Sequence, residues 1–215
     1  MADVKLVMFD MDGTLIKGRG IFVIAEKKGF IDELWRYIKD PYLEYYEKSI
    51  EIAKLSKGFK KNEYLEIFQK VPLQRNAQEV ISELKKRNIK TAIATDSYLM
   101  LAENLKHRLN IDHAFANDLV TNDDVITGEL RIHNKDLVED ISGNKIYSIC
   151  KGCVLEQLCK DMNINLEQTI AIGDGIVDIG MINKAGTGIA FNATDEVKKY
   201  ADVVSDDLKI ILDYI

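Results

Sequence analysis

The hydrophobic pattern of the chain changes twice in its N-terminal third. Residues 5–9 form a short apolar run that ends at Asp10, which predicts a buried strand. From about residue 18 to residue 71, apolar side chains recur at helical spacing, and Pro72 follows this stretch. The pattern therefore predicts an all-helical cap over residues 17–72, inserted into a core of residues 1–16 and 73–215.

After the predicted cap, helical and strand-like segments alternate to the end of the chain. Strands and helices of this length in alternation predict an α/β fold, a Rossmann-like doubly wound parallel sheet covered by helices on both faces. Residues 114–149 are more turn-rich and predict a hairpin, with turns expected at residues 122–124 and at Thr127-Gly128. The predicted core strands after the cap are residues 91–94, 169–172, 188–191 and 203–204.

Composition and charge narrow the class of protein. The 215 residues are 47% hydrophobic and 30% charged with only 2 prolines, which indicates a globular protein and excludes disordered or collagen-like chains. The formal net charge of -6 gives no positive field for nucleic acid or anionic lipid, so neither is an expected partner. The sequence has neither a signal peptide pattern nor an apolar run of the ~20 residues that span a membrane, which predicts a cytoplasmic protein.

Three cysteines lie close together, at Cys150, Cys153 and Cys159. An odd number in one short stretch does not form the disulfide framework of a secreted protein. A zinc site would need two further ligands at suitable spacing, and the three histidines do not supply them. We therefore expect free thiols packed around a helix, in preference to a metal or redox role for the Cys150/Cys153 pair.

Asp10 and Asp12 follow directly after the first predicted strand. Side chains two residues apart on extended backbone point the same way, so both carboxylates can reach one pocket. One carboxylate can attack phosphorus as a nucleophile, while the other protonates the leaving group and then activates water. Because acid pairs at this spacing also occur in ordinary turns, the surrounding motifs decide between the two interpretations.

Four motifs in order place this acid pair in a wider pattern. Residues 10–15 (Asp-Met-Asp-Gly-Thr-Leu) follow the first strand, and residues 173–178 (Gly-Asp-Gly-Ile-Val-Asp) follow a later one. Residues 115–117 (Phe-Ala-Asn) and 151–152 (Lys-Gly) lie between them. With these motifs the chain resembles the haloacid dehalogenase (HAD) superfamily of phosphohydrolases over the whole predicted core, and within it the phosphoserine phosphatase group.

The resemblance implies a Mg²⁺-dependent mechanism with four carboxylates. Asp10 would be the nucleophile and a metal ligand, Asp12 the general acid/base that binds metal through its carbonyl, and Asp174 the other metal carboxylate. Asp178 would support the metal site. Four converging acids could not all stay ionised without cations, which independently favours Mg²⁺ and a nearby lysine.

The phosphate-binding residues implied by the resemblance are Gly13, Thr95, Asp96 and Lys151. Thr95 and Lys151 would bind the transferring phosphoryl oxygens, and Lys151 would also orient the nucleophile, so both count as catalytic residues. Asp96 stands where the phosphoserine phosphatase group has a glycine, and we expect its side chain to point away from the phosphate or to cap the next helix. Val177 stands where the group commonly has Asn, which removes a hydrogen-bonding side chain.

Two candidate substrate-specificity residues depart from the group's pattern. The group has a Glu after its first motif and an Arg in the cap, whereas this chain has Arg19 and, at a less certain position, Glu51. We hypothesise that specificity has diverged, and that Arg19 and Glu51 either pair with each other or hold a ligand of opposite polarity. Two solvated surface charges are the simpler alternative.

The predicted function is therefore hydrolysis of a small soluble phosphomonoester through an aspartyl-phosphate intermediate. A phosphotransferase or mutase of the same fold remains an alternative, as does a catalytically silent binding protein. A two-component receiver domain uses similar groups, but its phosphorylated Asp lies on an internal strand and it lacks a cap. The sequence leaves the substrate and the oligomeric state open.

Overall fold

A seven-stranded sheet forms the centre of the molecule in the computed structural model, which describes residues 3–137, 139 and 145–215. The strands follow the order β4-β3-β2-β1-β5-β6-β7 and are parallel except for β4, which is antiparallel to β3. This confirms the predicted α/β class. The strands are β1 (Leu6–Phe9), β2 (Lys90–Tyr98), β3 (His113–Asn122), β4 (Val125–Arg131), β5 (Thr169–Gly173), β6 (Thr187–Phe191) and β7 (Val203–Ser205).

The central strand β1 is apolar at all four positions and completely buried. It pairs with β2 on one side and with β5 on the other, and Phe9 lies level with Ile93 and Ile172. From β1 the sheet extends through β2, β3 and β4 on one side and through β5, β6 and β7 on the other. The carboxyl ends of these three strands therefore meet where the direction of winding reverses, which is where open α/β sheets bind their ligands.

Nine α-helices accompany the sheet in the described part of the chain, and four of them, α1 to α4, lie between β1 and α5. Within this part of the chain, helices are too short or too polar to cross a membrane. The helices are α1 (Gly20–Lys28), α2 (Ile31–Lys39), α3 (Tyr45–Lys54), α4 (Lys61–Phe68), α5 (Ala77–Lys86), α6 (Leu99–Leu109), α7 (Lys151–Met162), α8 (Ile179–Lys184) and α9 (Asp195–Lys198).

The β3–β4 hairpin supports the helical segment as well as extending the sheet. The loop after α3 pairs with β4, because Gly58 N–H donates to Ile126 O and Ile126 N–H donates to Phe59 O, both at 2.9 Å. The predicted turn at residues 122–124 is confirmed, since it joins β3 to β4. The predicted turn at Thr127-Gly128 is wrong, because these residues lie inside β4.

Gly128 explains that error. It has a φ of +85°, and a Cβ atom there would lie 3.0 Å from Lys57 Cβ. A glycine at this point therefore allows the hairpin to approach the end of α3, a long-range contact that looks like a turn signal in the sequence.

The cysteines differ from the prediction of free thiols. Cys150 and Cys153 form a disulfide across the first turn of α7, with their Cα atoms 5.2 Å apart, and only Cys159 is a free, buried thiol. The spacing of three residues at a helix start brings the two side chains together, although the sequence lacks a disulfide framework.

Asp112 ties the start of β3 to β2, and its removal should destabilise the fold. Its carboxylate accepts bonds from Lys85 Nζ at 2.7 Å and from the N–H and hydroxyl of Thr91 at 2.9 Å. Burial raises the pKa of Asp112, but these bonds outweigh burial and leave the pKa lowered. We expect Asp112→Ala to reduce the free energy of unfolding at pH 7 by about 2–3 kcal/mol, measured by urea denaturation.

The pH dependence of this loss has a definite sign. A carboxyl group with a lowered folded-state pKa stabilises the protein above its unfolded pKa of about 3.9, and this contribution disappears as the pH falls through the folded-state pKa. The difference between wild type and Asp112→Ala should therefore shrink in acid. A difference no larger than that of Asp118→Ala, on an exposed acid, would contradict the anchoring role.

Candidate active site

Three carboxylates converge at the edge of the sheet where β1 and β5 end. Asp10 continues β1, and its N–H still donates to Ile172 O of β5 at 2.9 Å. Asp174 and Asp178 follow β5 directly. One oxygen from each of the three carboxylates lies within 4.8 Å of the others. Oxygen donors at this spacing are the ligands that a hard cation such as Mg²⁺ prefers.

Lys151 is the cation of this cluster and is 1% exposed. As the first residue of α7, it extends its side chain to Asp10 and Asp178, whose Oδ1 atoms both lie 2.5 Å from Nζ. Burial lowers the pKa of Lys151, but the two carboxylates raise it more, so the amine stays charged. The neighbouring Gly152 permits this placement, because a Cβ there would lie 2.8 Å from Gly180 O in α8.

The pKa values of Asp10 and Asp174 are both raised. Burial is the main cause at each, with repulsion from Asp178 adding to it, and the charge of Lys151 partly opposes the shift. Three carboxylates with one lysine are therefore short of positive charge. A bound divalent cation would restore the ionised form of the carboxylates, and the donor set thus fits a metal.

Asp12 occupies a different environment from the other acids. Its Oδ1 accepts a 2.6 Å bond from the N–H of Gly20, the first residue of α1. Burial raises the pKa of Asp12 to about 7, although the Gly20 N–H opposes this shift. A carboxyl group with a pKa near neutrality can both give and take a proton, as a general acid/base must.

Between Asp12 and α1 the chain turns sharply at Gly13, which has a φ of +87°. The same turn brings Thr14 close to the cluster, where its hydroxyl donates to Asp174 Oδ1 at 3.3 Å. Gly13 also receives a bond on its carbonyl from Gln74 Nε2 at 3.1 Å. The loop between β1 and α1 is thus anchored to Asp174 after β5 and to Gln74 before α5.

The carboxyl end of β2 contributes two of the four residues predicted to bind phosphate, Thr95 and Asp96. Thr95 is fully buried, and its Oγ1 accepts a 3.2 Å bond from Ser97 N–H. The exposed Asp96 lines the same cavity as Asp10. The expectation that Asp96 caps the next helix is wrong, because Tyr98 holds the N-cap position of α6 and no described side chain caps this helix. That the Asp96 carboxylate points away from a bound phosphate stays a prediction.

Asn117 fixes this part of β2 by a set of three hydrogen bonds. Its amide Nδ2 donates to Asp96 O at 2.7 Å and to Ser148 Oγ at 2.8 Å, while its Oδ1 accepts from His133 N–H at 3.0 Å. Ser148 is also hydrogen-bonded, at 3.2 Å, to the hydroxyl of Ser49 in α3. A continuous polar chain therefore links the β2 loop to the helical segment.

Removing the Asn117 side chain should disturb catalysis more than folding. Asn117→Ala removes the partner of two part-buried backbone groups, while the buried Ser148 hydroxyl keeps its bond to Ser49, so the stability loss should stay within about 1–3 kcal/mol. Because a misplacement of about 1 Å near reacting groups can cost ~100-fold in rate, we expect kcat/KM to fall roughly 10- to 100-fold. Phosphate release and thermal melting would measure the two effects. Unchanged kcat/KM with a lowered Tm would make Asn117 a purely structural residue.

A cavity opens above the carboxylates and is bounded on its other side by the helical segment. Arg19, the residue before α1, lines this cavity, and its guanidinium makes no hydrogen bond or ion pair with the described residues. Burial lowers the pKa of its guanidinium, but the charges of Asp96 and Asp12 outweigh burial and raise it. The apolar part of the wall includes Ile21, Phe22, Ile38, Ile52 and Val177, and hydroxyl groups come from Ser49 and Ser97.

Glu51 is not brought together with Arg19. Its carboxylate pairs with Lys54 at 2.5 Å along α3, and it does not line the cavity that Arg19 faces. Ser49, which sequence reasoning missed, lies there instead. Two residues correspond to about 200° around a helix, so a small uncertainty in alignment selects the wrong face. In the sequence, nothing distinguishes the apolar residues of the cavity from residues of the hydrophobic core.

The protein has an α/β fold, and its acidic cluster lies at the carboxyl edge of a mostly parallel sheet. The sequence profile of the haloacid dehalogenase-like hydrolases matches residues 4–186. This chain therefore belongs to the haloacid dehalogenase-like hydrolase family.

Individual relatives agree with this assignment over the full chain. A phosphoserine phosphatase of Methanocaldococcus jannaschii is 32% identical over 98% of this chain and 97% of its own length. A phosphoserine phosphatase of Campylobacter jejuni is 31% identical, over 99% and 100% of the two chains. A solved phospho-aspartyl intermediate analogue of phosphoserine phosphatase is 31% identical and superposes with a TM-score of 0.82, covering 99% of both chains.

Proposed function

We propose that this enzyme hydrolyses a small soluble phosphomonoester through a phosphorylated Asp10. The observation that carries the proposal is the buried Lys151, which bridges Asp10 and Asp178 beside Asp12. A lysine in this position holds one oxygen of Asp10 and leaves the other free to react. A purely structural ion pair would not need a second carboxyl group of pKa about 7 two residues further on.

The reaction has two steps in which the same residues act twice. An oxygen of Asp10 attacks phosphorus, the ester P–O bond breaks, and Asp12 gives its proton to the leaving alkoxide. Asp12 then accepts a proton from water, the water oxygen attacks phosphorus, and the bond to Asp10 breaks to release phosphate. Lys151 stabilises the negative charge on the phosphoryl oxygens in both steps.

Asp10, Asp174 and the carbonyl of Asp12 are the residues we propose to hold Mg²⁺. When bound, the ion supplies positive charge that keeps the carboxylates ionised and balances the phosphate. Asp178 positions Lys151 and the loop after β5, since its Oδ1 binds Lys151 and its Oδ2 accepts from Gly175 N–H at 2.8 Å. Thr95 and the backbone at Gly13 and Asp96 complete the proposed phosphate site.

The substrate class follows from the relatives and from Arg19. The relatives named above are phosphoserine phosphatases, so we propose a phosphorylated metabolite of similar size. Arg19 is a cation facing the cavity without a partner among the described residues. We therefore propose that the part of the substrate beyond the phosphate offers Arg19 an anionic group, and that specificity for phosphoserine itself has diverged.

Phosphate release from a matched set of substrates tests the function. The set is an aryl phosphate, phosphoethanolamine with an ammonium group, phosphoglycolate with a carboxylate, and phosphoserine with both. We expect turnover with Mg²⁺, none with EDTA, and a higher kcat/KM on phosphoglycolate than on phosphoethanolamine or phosphoserine. The highest kcat/KM on phosphoserine would contradict the diverged specificity. If none of these substrates were hydrolysed with Mg²⁺, Mn²⁺ or Co²⁺ present, the result would contradict the proposed function.

Arg19→Gln tests the specificity part separately. A charge-assisted bond contributes about 1.5–3 kcal/mol, so kcat/KM on phosphoglycolate should fall roughly 10- to 100-fold more than on phosphoethanolamine. Arg36→Gln, which removes an exposed arginine of α2 outside the cavity, is the matched control. An equal loss on both substrates would show that Arg19 does not recognise the carboxylate.

A further inference from the structure

We propose that Cys150 and Cys153 form a thiol–disulfide exchange site that adjusts the position of Lys151. Cys150 is the N-cap residue of α7 and Cys153 lies in its first turn, so the disulfide encloses only Lys151 and Gly152. The residue proposed to hold the nucleophile is thus the first residue inside the ring. The link to activity rests on the proposed function, whereas the exchange reaction does not.

The disulfide is badly placed to serve as a structural staple. A cross-link stabilises mainly by closing a long loop in the unfolded chain, and this loop spans a sequence separation of 3. The first turn of α7 already has other anchors, namely the ion pairs of Lys151 and the bond from Val154 N–H to Cys150 O at 3.0 Å. In the cytoplasm predicted from the sequence, disulfides that persist are usually catalytic or redox-sensing.

The two sulfur atoms are suited to exchange in a defined order. Cys153 is exposed and Cys150 is half-buried, so an external thiolate reaches Cys153 more easily. Cys150 Sγ accepts a 3.2 Å bond from Cys153 N–H at the helix N-terminus, and the first turn of α7 has no acidic residue. Both features stabilise a thiolate on Cys150 and make it the better leaving group.

The exchange is a two-electron reaction with a low-molecular-weight thiol. One thiolate attacks Sγ of Cys153, the S–S bond breaks, and the electron pair leaves on Cys150. A second thiolate attacks the outer sulfur of the mixed disulfide, which releases Cys153 as a thiolate and the two small thiols as their disulfide. Solvent supplies the protons, and a low-molecular-weight disulfide reverses the reaction.

Opening the disulfide ring removes one of the two restraints on Lys151, the one on its backbone. In the closed form, Lys151 is bracketed by the disulfide on its backbone and by Asp10 and Asp178 on its amine. The segment just before Cys150 also bonds to the cavity wall, because Ser148 Oγ is bonded to Ser49 and Asn117. Reduction removes the backbone restraint between these contacts, so Lys151 should hold the nucleophile less well.

Thiol labelling of the full chain tests the exchange site without reference to activity. The protein is equilibrated with set ratios of reduced and oxidised dithiothreitol, alkylated, and analysed by peptide mass spectrometry. We expect Cys150 and Cys153 to become labelled together and reversibly as the ratio increases. Cys159→Ser should behave as wild type does, whereas Cys153→Ser should leave Cys150 labelled at every ratio. A pair that never closes, or that closes through Cys159, would overturn the proposal.

Two further readouts test the coupling to Lys151. Acylation of Lys151 relative to the exposed Lys160 of the same helix should increase on reduction, and kcat on aryl phosphate should fall about 3- to 10-fold in wild type and in Cys159→Ser. Equal acylation and equal kcat in both redox states would overturn the coupling. Failure of the proposed function gives a different result, since turnover is then absent in both states while labelling and acylation still report on the ring.

Discussion

Asp10→Asn should abolish turnover while leaving the fold intact. The side-chain amide of Asn cannot replace the carboxylate as the nucleophile that forms an acyl phosphate. Loss of a nucleophile in comparable active sites lowers kcat by a factor of about 10⁴–10⁶. Burial raises the pKa of Asp10 in the metal-free protein. Because Lys151 keeps Asp178 as a partner, replacing this carboxyl group by a neutral isostere should leave the metal-free Tm close to that of wild type, which separates a chemical defect from misfolding.

Phosphate release at saturating substrate measures this effect, with Asp206→Asn on an exposed acid as the matched control. Asp10→Ala should be equally inactive, and it excludes recovery of Asp by slow deamidation of the Asn variant. If Asp10→Asn kept more than about one-hundredth of the wild-type kcat, another group would have to be the nucleophile.

Lys151→Met should lower both activity and metal-free stability. The Met side chain fills a similar volume but leaves the carboxylates of Asp10 and Asp178 without the cation that lies 2.5 Å from each. Breaking a buried ion pair by removing one partner costs about 3–5 kcal/mol. The lost stabilisation of the phosphoryl oxygens should reduce kcat about 100- to 1,000-fold, as the loss of one oxyanion donor does.

The stability loss in Lys151→Met should depend on pH with a definite sign. Without the lysine, the folded-state pKa of Asp10 rises further above its unfolded value, so the folded state binds more protons than the unfolded state. Stability is therefore lost as the pH rises, and the variant should be relatively more stable near pH 5 than near pH 8. Lys160→Met on the exposed side of α7 is the control. A variant whose deficit is the same at both pH values would contradict the buried ion-pair account.

The sequence predicted those parts of the site that depend on local spacing. The four apolar residues of β1 fit a buried strand, and Asp10 follows directly after it. Asp12 comes two residues later, at the spacing that keeps both acids on one side of extended backbone. The position of Asp174 and Asp178 follows from β5 in the same way. Parallel strands then bring these local motifs together at one edge.

The parts that were predicted wrongly depend on contacts between distant segments. In the sequence, Gly128 looks like a turn residue because its contact with the end of α3 is not visible there. Asp96 looks like a helix cap, but β2 continues to Tyr98 and α6 begins only at Leu99. Glu51 and Ser49 differ by half a helix circumference, a difference that hydrophobic spacing does not resolve at a polar surface. The Cys150–Cys153 disulfide was missed because cysteine counting addresses frameworks and not a single pair at a helix start.

Chemical trapping of the phosphorylated aspartate is the most direct test of the proposed mechanism. The enzyme is quenched during steady turnover of an aryl phosphate with Mg²⁺, and borohydride then reduces any acyl phosphate to an alcohol. The account predicts that peptide mass spectrometry finds homoserine at position 10, that Asp12 and Asp174 stay unchanged, and that Asp10→Asn gives no product. Reduction at a different aspartate, or turnover at full rate without any trapped aspartate, would contradict it.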